Sequence, residues 1–399
     1  MTAFRNDKTE NVENKKIAIL SVLKPVDDVR AYKKIAKSVV GNHKKITLIG
    51  FEASSFSKKN NTEKNIEFIE LFSQINHGNR LGLWRFFAGF RVLYQLLKIK
   101  PHTIIVCAVE LLPFTLLYKF FFKTKLIYDM QENYVFNILY QENYPRFLKK
   151  PLAFLIRNFE KFSSRFIDLY LLAERCYLEE IPFLKKQNYI FLENKFLIED
   201  DSDFERNSIV PSDFLTTKNI KFLLYGSFSK TYGTVEGILF FKKLQKEFFK
   251  KGIQIQLVLA GYCSDKNYSK KITELIKNEP SISLLNNSVS TPISHKILLE
   301  KIQKTDFVIL PYLFNRSTQN CIPTKFYECL AYQKPMLFSK NEKWKFFLEP
   351  LHAGFSVDFE SQNLENEAKI VVKKIIAQQF YSKPIDESIW RFDRSSLSV

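Results

Sequence analysis

Short apolar runs alternate with longer amphipathic segments along most of the chain. Runs of a few consecutive apolar residues are typical of strands covered on both faces, whereas apolar residues three or four apart are typical of helices. In the first half, strands are predicted at Ile17–Leu20, Ile46–Ile49, Ile66–Ile69, Thr103–Val106, Leu126–Tyr128 and Leu169–Leu172. Helices are predicted near residues 30–40, 80–98, 111–121 and 151–166.

The same alternation resumes after a polar, acidic stretch at residues 199–207. It predicts strands at Phe222–Tyr225, Gln254–Leu259, Ile282–Leu285, Phe307–Leu310, Met336–Phe338 and Phe355–Val357. Strands that alternate with helices favour parallel sheets with helices on both faces. We therefore predict an α/β protein of two doubly wound, Rossmann-like domains facing each other across a cleft, at residues 1–200 and 218–378, with a linker at 201–217.

Length and composition restrict the class of protein. The 399 residues suit two domains, and a hydrophobic content of 46% excludes a disordered chain. The first 16 residues contain no apolar signal segment, and no apolar run approaches the ~20 residues that span a bilayer. The five cysteines form no CxxC pair, which favours a reduced cytoplasm without structural zinc or disulfides.

Half of the net charge of +18 comes from one segment. Residues 80–166 contain 14 Lys and Arg against 5 Asp and Glu, together with 20 of the 60 aromatic residues. Basic and aromatic side chains on helices favour contact with an anionic membrane surface. The alternative is a solvated basic face, because Leu83, Phe86, Phe90, Leu93 and Leu97 have the spacing of a helix that packs on the core. A nucleic-acid partner is not expected, since no motif of that kind accompanies the charge.

A strand, loop, helix and second strand at residues 306–338 form the most informative motif. Pro323 at a helix start contributes no amide hydrogen, so the amides that follow can bind an anion. Thr324 and Glu328 are four residues apart, on the same face of that helix. Phosphate at the helix end, with a carboxylate one turn deeper for sugar hydroxyls, would hold a nucleoside diphosphate.

This order, with Pro-Thr-Lys-Phe-Tyr-Glu between two buried strands, resembles the donor site of GT-B glycosyltransferases, particularly glycosyltransferase family 4. The resemblance implies that residues 1–200 bind the acceptor, that residues 218–378 bind a nucleotide sugar, and that Glu328 holds the ribose. Asn320 stands where the family has its first glutamate and is a candidate catalytic residue. The resemblance adds phosphate contacts from Ser317, Thr318, Pro323, Thr324 and Lys325. The tail at 379–399, which contains Trp390, resembles the helix that returns to the first domain.

The loop after Phe222–Tyr225 resembles the family's loop beneath the donor pyrophosphate. Gly226, Ser227 and Gly233 would let the backbone approach phosphate, and Lys230 would neutralise it. Two glycines after a strand also make an ordinary turn, so the loop alone is not specific.

Three further segments resemble the family in the first half of the chain. Asp28 and Arg30 correspond to an Asp-x-Arg after the first strand and would bind the acceptor, although Asp28 can equally be a helix cap. Glu110, Gln131 and Glu132 correspond to acidic and histidine positions and are the remaining catalytic candidates. No histidine occurs at these positions, so a histidine general base is not expected, and Asp129 and Glu132 can alternatively cap the following helix.

The resemblance implies a glycosyltransferase that moves a sugar from a UDP- or GDP-sugar to a surface glycan acceptor. We expect that acceptor to be lipid-linked. It implies retention of the anomeric configuration, no metal and no cofactor. The expected location is the inner face of the cytoplasmic membrane. Two alternatives remain open, a GT-B binding subunit with little activity and a sugar-nucleotide epimerase on the same fold.

Overall fold

The computed structural model describes residues 15–40, 44–53, 65–72, 83–141, 144–199, 219–286, 288–377 and 380–397. These residues fall into two compact units. Unit 1 comprises the residues up to Asn194 and those from Asp393 onward, and unit 2 comprises Lys195–Phe392. The predicted linker at 201–217 lies outside the described residues.

Unit 1 is built on a seven-stranded parallel sheet in the order β3-β2-β1-β4-β5-β6-β7. The strands are β1 (Lys15–Pro25), β2 (Lys44–Phe51), β3 (Ile66–Phe72), β4 (Thr103–Val106), β5 (Lys125–Met130), β6 (Leu169–Leu172) and β7 (Tyr189–Phe191). β1, β4, β5 and β6 are almost wholly buried along their central residues because helices cover the sheet on both faces.

The helices of unit 1 connect consecutive strands. They are α1 (Val29–Ala36, wound as a π-helix, with a further turn at Lys37–Val39), α2 (Leu83–Ile99), α3 (Leu112–Phe121), α4 (Tyr134–Tyr140), α5 (Arg146–Ser163) and α6 (Tyr177–Glu180). Short 3₁₀ turns occur at Val109–Leu111, Pro182–Lys186 and Arg394–Ser396.

The start of α5 corrects the prediction of a helix at 151–166. Residue 151, where the predicted helix begins, is a proline that lies inside α5, one and a half turns after Arg146. A proline at that position cannot donate to the carbonyl of Phe147. Phe147 is 78% exposed, so water can bond to that carbonyl and the helix tolerates the lost hydrogen bond.

Unit 2 is built on a six-stranded parallel sheet in the order β10-β9-β8-β11-β12-β13. The strands are β8 (Asn219–Ser227), β9 (Gln254–Tyr262), β10 (Ile282–Leu284), β11 (Phe307–Leu310), β12 (Met336–Ser339) and β13 (Gly354–Val357). The helices are α7 (Thr234–Phe249), α8 (Lys266–Ile276), α9 (His295–Gln303), α10 (Thr324–Ala331), α11 (Glu342–Leu348), α12 (Leu364–Ala377) and α13 (Glu387–Trp390). A 3₁₀ turn follows α11 at Glu349–Leu351.

Apolar cores lie on both faces of the second sheet. Trp390 is buried in one of them, and the backbone beside it pairs with Phe196 through the bonds from the Phe196 amide to the Trp390 carbonyl and from the Phe392 amide to the Phe196 carbonyl. The beginning and the end of unit 2 are thereby joined. Among the described residues, no helix combines the length and the hydropathy that a bilayer-crossing segment needs.

Candidate active site

A cavity of about 440 Å³ opens in unit 2 at the carboxyl ends of β8 and β11. The order of the strands reverses between these two, and ligands of doubly wound sheets bind at such points. The residues predicted to bind the donor that line this cavity are Gly226, Ser227, Thr318, Pro323, Thr324, Lys325 and Glu328. The fold thus brings together two segments that are about a hundred residues apart in sequence.

Glycines at the end of β8 and in front of α7 leave room for neighbouring groups. Gly226 has a φ of +99°, and a Cβ there would lie 2.6 Å from Cε and Nζ of Lys325. Gly233 has a φ of +59° in front of α7, and a Cβ there would lie 1.6 Å from the carbonyl oxygen of Pro311. Gly226 therefore leaves room for a charged side chain of the cavity, while Gly233 leaves room for the backbone after β11. Lys230 is exposed on the turn between them.

The N-terminus of α10 points into the cavity. Pro323 precedes the first helical residue and gives no side-chain cap, so the amides of Thr324 and Lys325 are open to a ligand. The partial positive charge of a helix N-terminus favours an anion at this point.

Lys325 places a cation beside that helix end. Its ammonium donates to the backbone carbonyl of Tyr225. It also lies 5.0 Å from the ring centre of Tyr225, 5.5 Å from that of Tyr232 and 5.6 Å from that of Tyr312. Burial lowers the pKa of Lys325 to about 8, although the charge of Glu328 partly opposes this effect. The groups within reach of the ammonium at close range are a carbonyl and three rings, so a bound phosphate would add negative charge directly beside it.

Glu328 lies one turn further along α10. Its Oε2 accepts a hydrogen bond of 2.6 Å from the Tyr225 hydroxyl, and its Oε1 is 3.0 Å from Nε2 of His295. Its side chain is only 13% exposed. A carboxylate oxygen can accept more than one hydrogen bond, so each oxygen keeps capacity for a ligand hydroxyl.

The polar loop between β11 and α10 is held by its own side chains. The Asn315 side-chain oxygen accepts from the amide of Ser317 at 2.9 Å and from its hydroxyl at 2.6 Å. Ser317 is therefore buried in a turn, whereas Thr318 lines the cavity. Asn320 is partly buried and precedes Cys321, which lines the cavity.

In unit 1, Arg30 makes a buried ion pair with Asp129. The Arg30 Nη2 atom is 2.6 Å from Asp129 Oδ1, and Nε is 3.0 Å from both carboxylate oxygens. Its Nη1 donates to the Leu192 carbonyl at 2.8 Å and to the Asn194 side chain at 2.7 Å. The guanidinium is thus engaged by the protein, and a direct acceptor contact would have to displace one of these partners.

The other predicted residues of unit 1 lie at the carboxyl ends of its central strands. Asp28 caps α1 and accepts from the amides of Arg30 and Ala31 at 2.9 and 3.1 Å. Gln131 accepts from the Lys24 ammonium at 2.5 Å and donates to Asp129 at 2.6 Å. One polar network therefore links the loops after β1 and β5.

Glu110 and Glu132 lie at this same edge. Glu132 is exposed, and its Oε2 accepts from the Asn137 side chain at 2.5 Å. Asn133, and not Glu132, caps α4 by accepting from the Phe136 amide at 3.4 Å. Glu110 is partly exposed on the 3₁₀ turn Val109–Leu111 that follows β4.

Several residues of the cavity in unit 2 were missed from the sequence. They are Tyr225, Tyr232, His295, Tyr312 and Trp344. His295 follows Ser294, the N-cap of α9, and nothing in that local sequence links it to Glu328. In the sequence, Tyr225 has the pattern of a core residue in a strand. The fold shows that its hydroxyl bonds to Glu328 and its carbonyl to Lys325.

No protein-family model matches the chain, and no curated protein matches it either. Solved structures do match. Sucrose-phosphate synthase from Thermosynechococcus elongatus superposes with a TM-score of 0.64 at 14% identity, over 96% of this chain and 93% of that one. HepE of Anabaena, in complex with UDP and glucose, gives 0.57 at 14% identity, over 91% and 90%.

A third match is the UDP-forming α,α-trehalose-phosphate synthase from Burkholderia xenovorans, in complex with glucose-6-phosphate. Its TM-score is 0.60 at 10% identity, over 92% of this chain and 93% of that one. These neighbours are glycosyltransferases of the GT-B fold. The chain has the GT-B fold. The two parallel sheets expected from the alternating pattern are confirmed.

Proposed function

We propose that the chain is a glycosyltransferase that moves a sugar from a nucleoside-diphosphate sugar to a glycan acceptor. The observation that carries the proposal is the cavity of unit 2, where an uncapped helix N-terminus, the Lys325 ammonium and the Glu328 carboxylate lie along one and a half turns of α10. Amides and a cation suit a diphosphate, and a carboxylate deeper in the cavity suits the hydroxyls of a ribose.

The chemistry of the step follows from these groups. The bond between the sugar's anomeric carbon and the diphosphate oxygen breaks, and the charge that develops on that oxygen is stabilised by Lys325 and by the α10 dipole. A new bond forms from an acceptor hydroxyl to the anomeric carbon, and the hydroxyl proton goes to the departing phosphate. Because protein groups can stabilise the leaving group, the proposal needs no metal. Retention of configuration rests on the resemblance of the α10 motif to family 4.

UDP is the first nucleotide to test, with GDP second. HepE was solved with UDP, and the trehalose-phosphate synthase is described as UDP-forming. Both share only the fold with this chain. The acceptor would meet unit 1 at the edge that carries Asp28, Glu110, Gln131 and Glu132, with Arg30 fixing the position of the network behind them.

We further propose that unit 1 rests on an anionic membrane and that the acceptor is lipid-linked. α2 lies between β3 and β4 along the chain, α3 between β4 and β5, and α5 between β5 and β6. In the sheet, all three connections therefore run toward the edge strand β7. Right-handed connections put such helices on one face of a parallel sheet. These three helices expose large apolar side chains that include Phe90, Tyr94, Phe120, Phe121, Phe147, Phe154 and Phe162.

Charge complementarity favours lipid as the occupant of this face. Residues 80–166 contain 14 basic and 5 acidic residues, and this excess of positive charge would attract anionic headgroups. The aromatic rings would enter the boundary between the headgroups and the acyl chains. The protein would then lie on the inner face of the cytoplasmic membrane, where it could reach a lipid-linked glycan.

Vesicle sedimentation tests the membrane proposal. Full-length protein should bind vesicles that contain phosphatidylglycerol, and salt should release it because exposed charges are screened over ~10 Å at 0.1 M. The double variant Phe147→Ser, Phe154→Ser should bind markedly less. Phe346→Ser is the matched control, because Phe346 is 85% exposed but lies on α11 of unit 2. Equal binding to neutral and anionic vesicles would refute the electrostatic part, and equal loss in all variants would refute the assigned face.

A panel of nucleotide sugars tests the enzyme proposal. A donor that binds the folded protein should raise the melting temperature by mass action. Glu328→Gln should reduce that shift, whereas Glu300→Gln, on the exposed face of α9, should not. Release of nucleoside diphosphate in the presence of membrane extract should follow the same order. If no UDP- or GDP-sugar shifts the parent protein, the proposed function is wrong.

A further inference from the structure

Two donors hold the carboxylate of Glu328 from different elements. The Tyr225 hydroxyl, at the end of β8, is 2.6 Å from Oε2, and His295 Nε2, at the start of α9, is 3.0 Å from Oε1. Each oxygen is therefore fixed by one protein group. Neither donor belongs to the motif that identified Glu328.

We propose that Tyr225 and His295 are positioning residues that aim the Glu328 carboxylate at the two hydroxyls of a ribose, so that the site selects ribonucleotides over 2′-deoxyribonucleotides. This inference rests on the proposed function. It adds two residues and a selectivity that the helix motif does not specify.

The geometry supports this role. An ionised carboxylate offers about four acceptor positions, and two of them are used by Tyr225 and His295. The two that remain are fixed in direction, so a pair of adjacent hydroxyls can engage both oxygens with little loss of side-chain entropy. A ligand that lacks one hydroxyl would leave an oxygen of this largely buried carboxylate without its second partner.

Tyr225 also links the two charged groups of the cavity. Its backbone carbonyl accepts from the Lys325 ammonium, and its ring lies 5.0 Å from that ammonium. Burial raises the pKa of Tyr225 well above its ordinary value, so its hydroxyl stays protonated and donates. Tyr225→Phe would remove only this donor, since the ring and the carbonyl would remain.

His295 allows a different replacement. It is about half exposed, and Ser294 fixes the start of α9 by accepting from the Ile297 amide. His295→Ala would remove the contact to Oε1, whereas His295→Gln would keep an N–H at a similar reach. If the contact had a purely structural role and only held α9 against α10, losing it would weaken the binding of a ribonucleotide and of its 2′-deoxy form by the same factor.

The experiment measures the affinities of the full chain for UDP, 2′-deoxy-UDP and inorganic pyrophosphate by calorimetry. The parent should prefer UDP over 2′-deoxy-UDP by about tenfold or more. Tyr225→Phe and His295→Ala should each lower this preference to about threefold or less. His295→Gln should restore most of it, and pyrophosphate should bind all four proteins alike. If UDP does not bind the parent, the same series is run with GDP and 2′-deoxy-GDP.

The outcomes separate this inference from the proposed function. A parent that binds neither UDP nor GDP overturns the proposed function and this inference with it. A parent that binds a nucleotide but does not distinguish the deoxy form overturns the inference alone. The inference also fails if the variants lose affinity for both nucleotides equally, or if pyrophosphate binding falls in parallel with nucleotide binding.

Discussion

Replacing Lys325 by methionine tests the diphosphate site through a single charge. Methionine has a flexible side chain of similar length that can occupy the space beside Gly226. That space exists because Gly226 has no Cβ, which would lie 2.6 Å from the end of the Lys325 side chain. The substitution removes the ammonium that the Tyr225 carbonyl and three tyrosine rings hold in the cavity. Hydrogen bonds to charged groups contribute about 1.5–3 kcal/mol, so UDP affinity should fall by roughly 10- to 150-fold.

The pH dependence of UDP binding tests the placement of the diphosphate in the parent protein itself. An effect of a substitution on folding therefore cannot contribute. Burial lowers the pKa of Lys325 to about 8, and a phosphate favours the protonated form, so binding takes up a proton above that pH. The last ionisation of a phosphate lies near pH ~6 and is complete over this range. UDP should therefore bind about tenfold more weakly at pH 9 than at pH 7.

Calorimetry at pH 7, 8 and 9 would measure both effects. The Lys325→Met variant should lose most of the pH dependence while its melting temperature stays similar or rises, because a buried cation is removed. A parent whose UDP affinity is flat from pH 7 to pH 9, or a variant that binds UDP as tightly as the parent, would refute the placement of the diphosphate at Lys325.

Substitutions at three further residues address other parts of the chain. Gly233→Ala should destabilise unit 2 by more than about 2 kcal/mol in urea unfolding, because its Cβ would meet the Pro311 carbonyl at 1.6 Å in a left-handed conformation; an unchanged midpoint would contradict this. Arg30→Ala should cost unit 1 about 3–5 kcal/mol, since it leaves the Asp129 carboxylate buried without its ion-pair partner; a loss below about 1 kcal/mol would show that the pair is not structural. Asn320→Ala should lower sugar transfer roughly 10- to 100-fold with little effect on UDP binding, and parental turnover in both Asn320→Ala and Asn320→Glu would remove Asn320 from the site.

The strand pattern was predicted well because buried parallel strands are continuous apolar runs. Thr103–Val106, Leu169–Leu172 and Phe307–Leu310 have the bounds that the sequence indicated. The three-residue strand β7 was missed, since it is short and its residues are partly exposed. α5 begins before the predicted residue 151, because the helix continues through Pro151 and solvent can satisfy the carbonyl that this proline leaves open.

The candidate site divides in a similar way. Lys325 and Glu328 could be found because a helix motif fixes their relation within four residues. Tyr225 and His295 touch Glu328 from 103 and 33 residues away in sequence, so no local spacing reveals them. The engagement of Arg30 also depends on the pairing of distant strands, because its ion-pair partner Asp129 is 99 residues away.

A crystal structure of the protein with a bound UDP-sugar, or a GDP-sugar if UDP does not bind, tests the central claim most directly. Our account predicts the diphosphate within hydrogen-bond distance of the Thr324 and Lys325 amides and of the Lys325 ammonium, with the ribose hydroxyls on Glu328. A nucleotide bound elsewhere, or a cavity that stays empty at saturating nucleotide sugar, would contradict it.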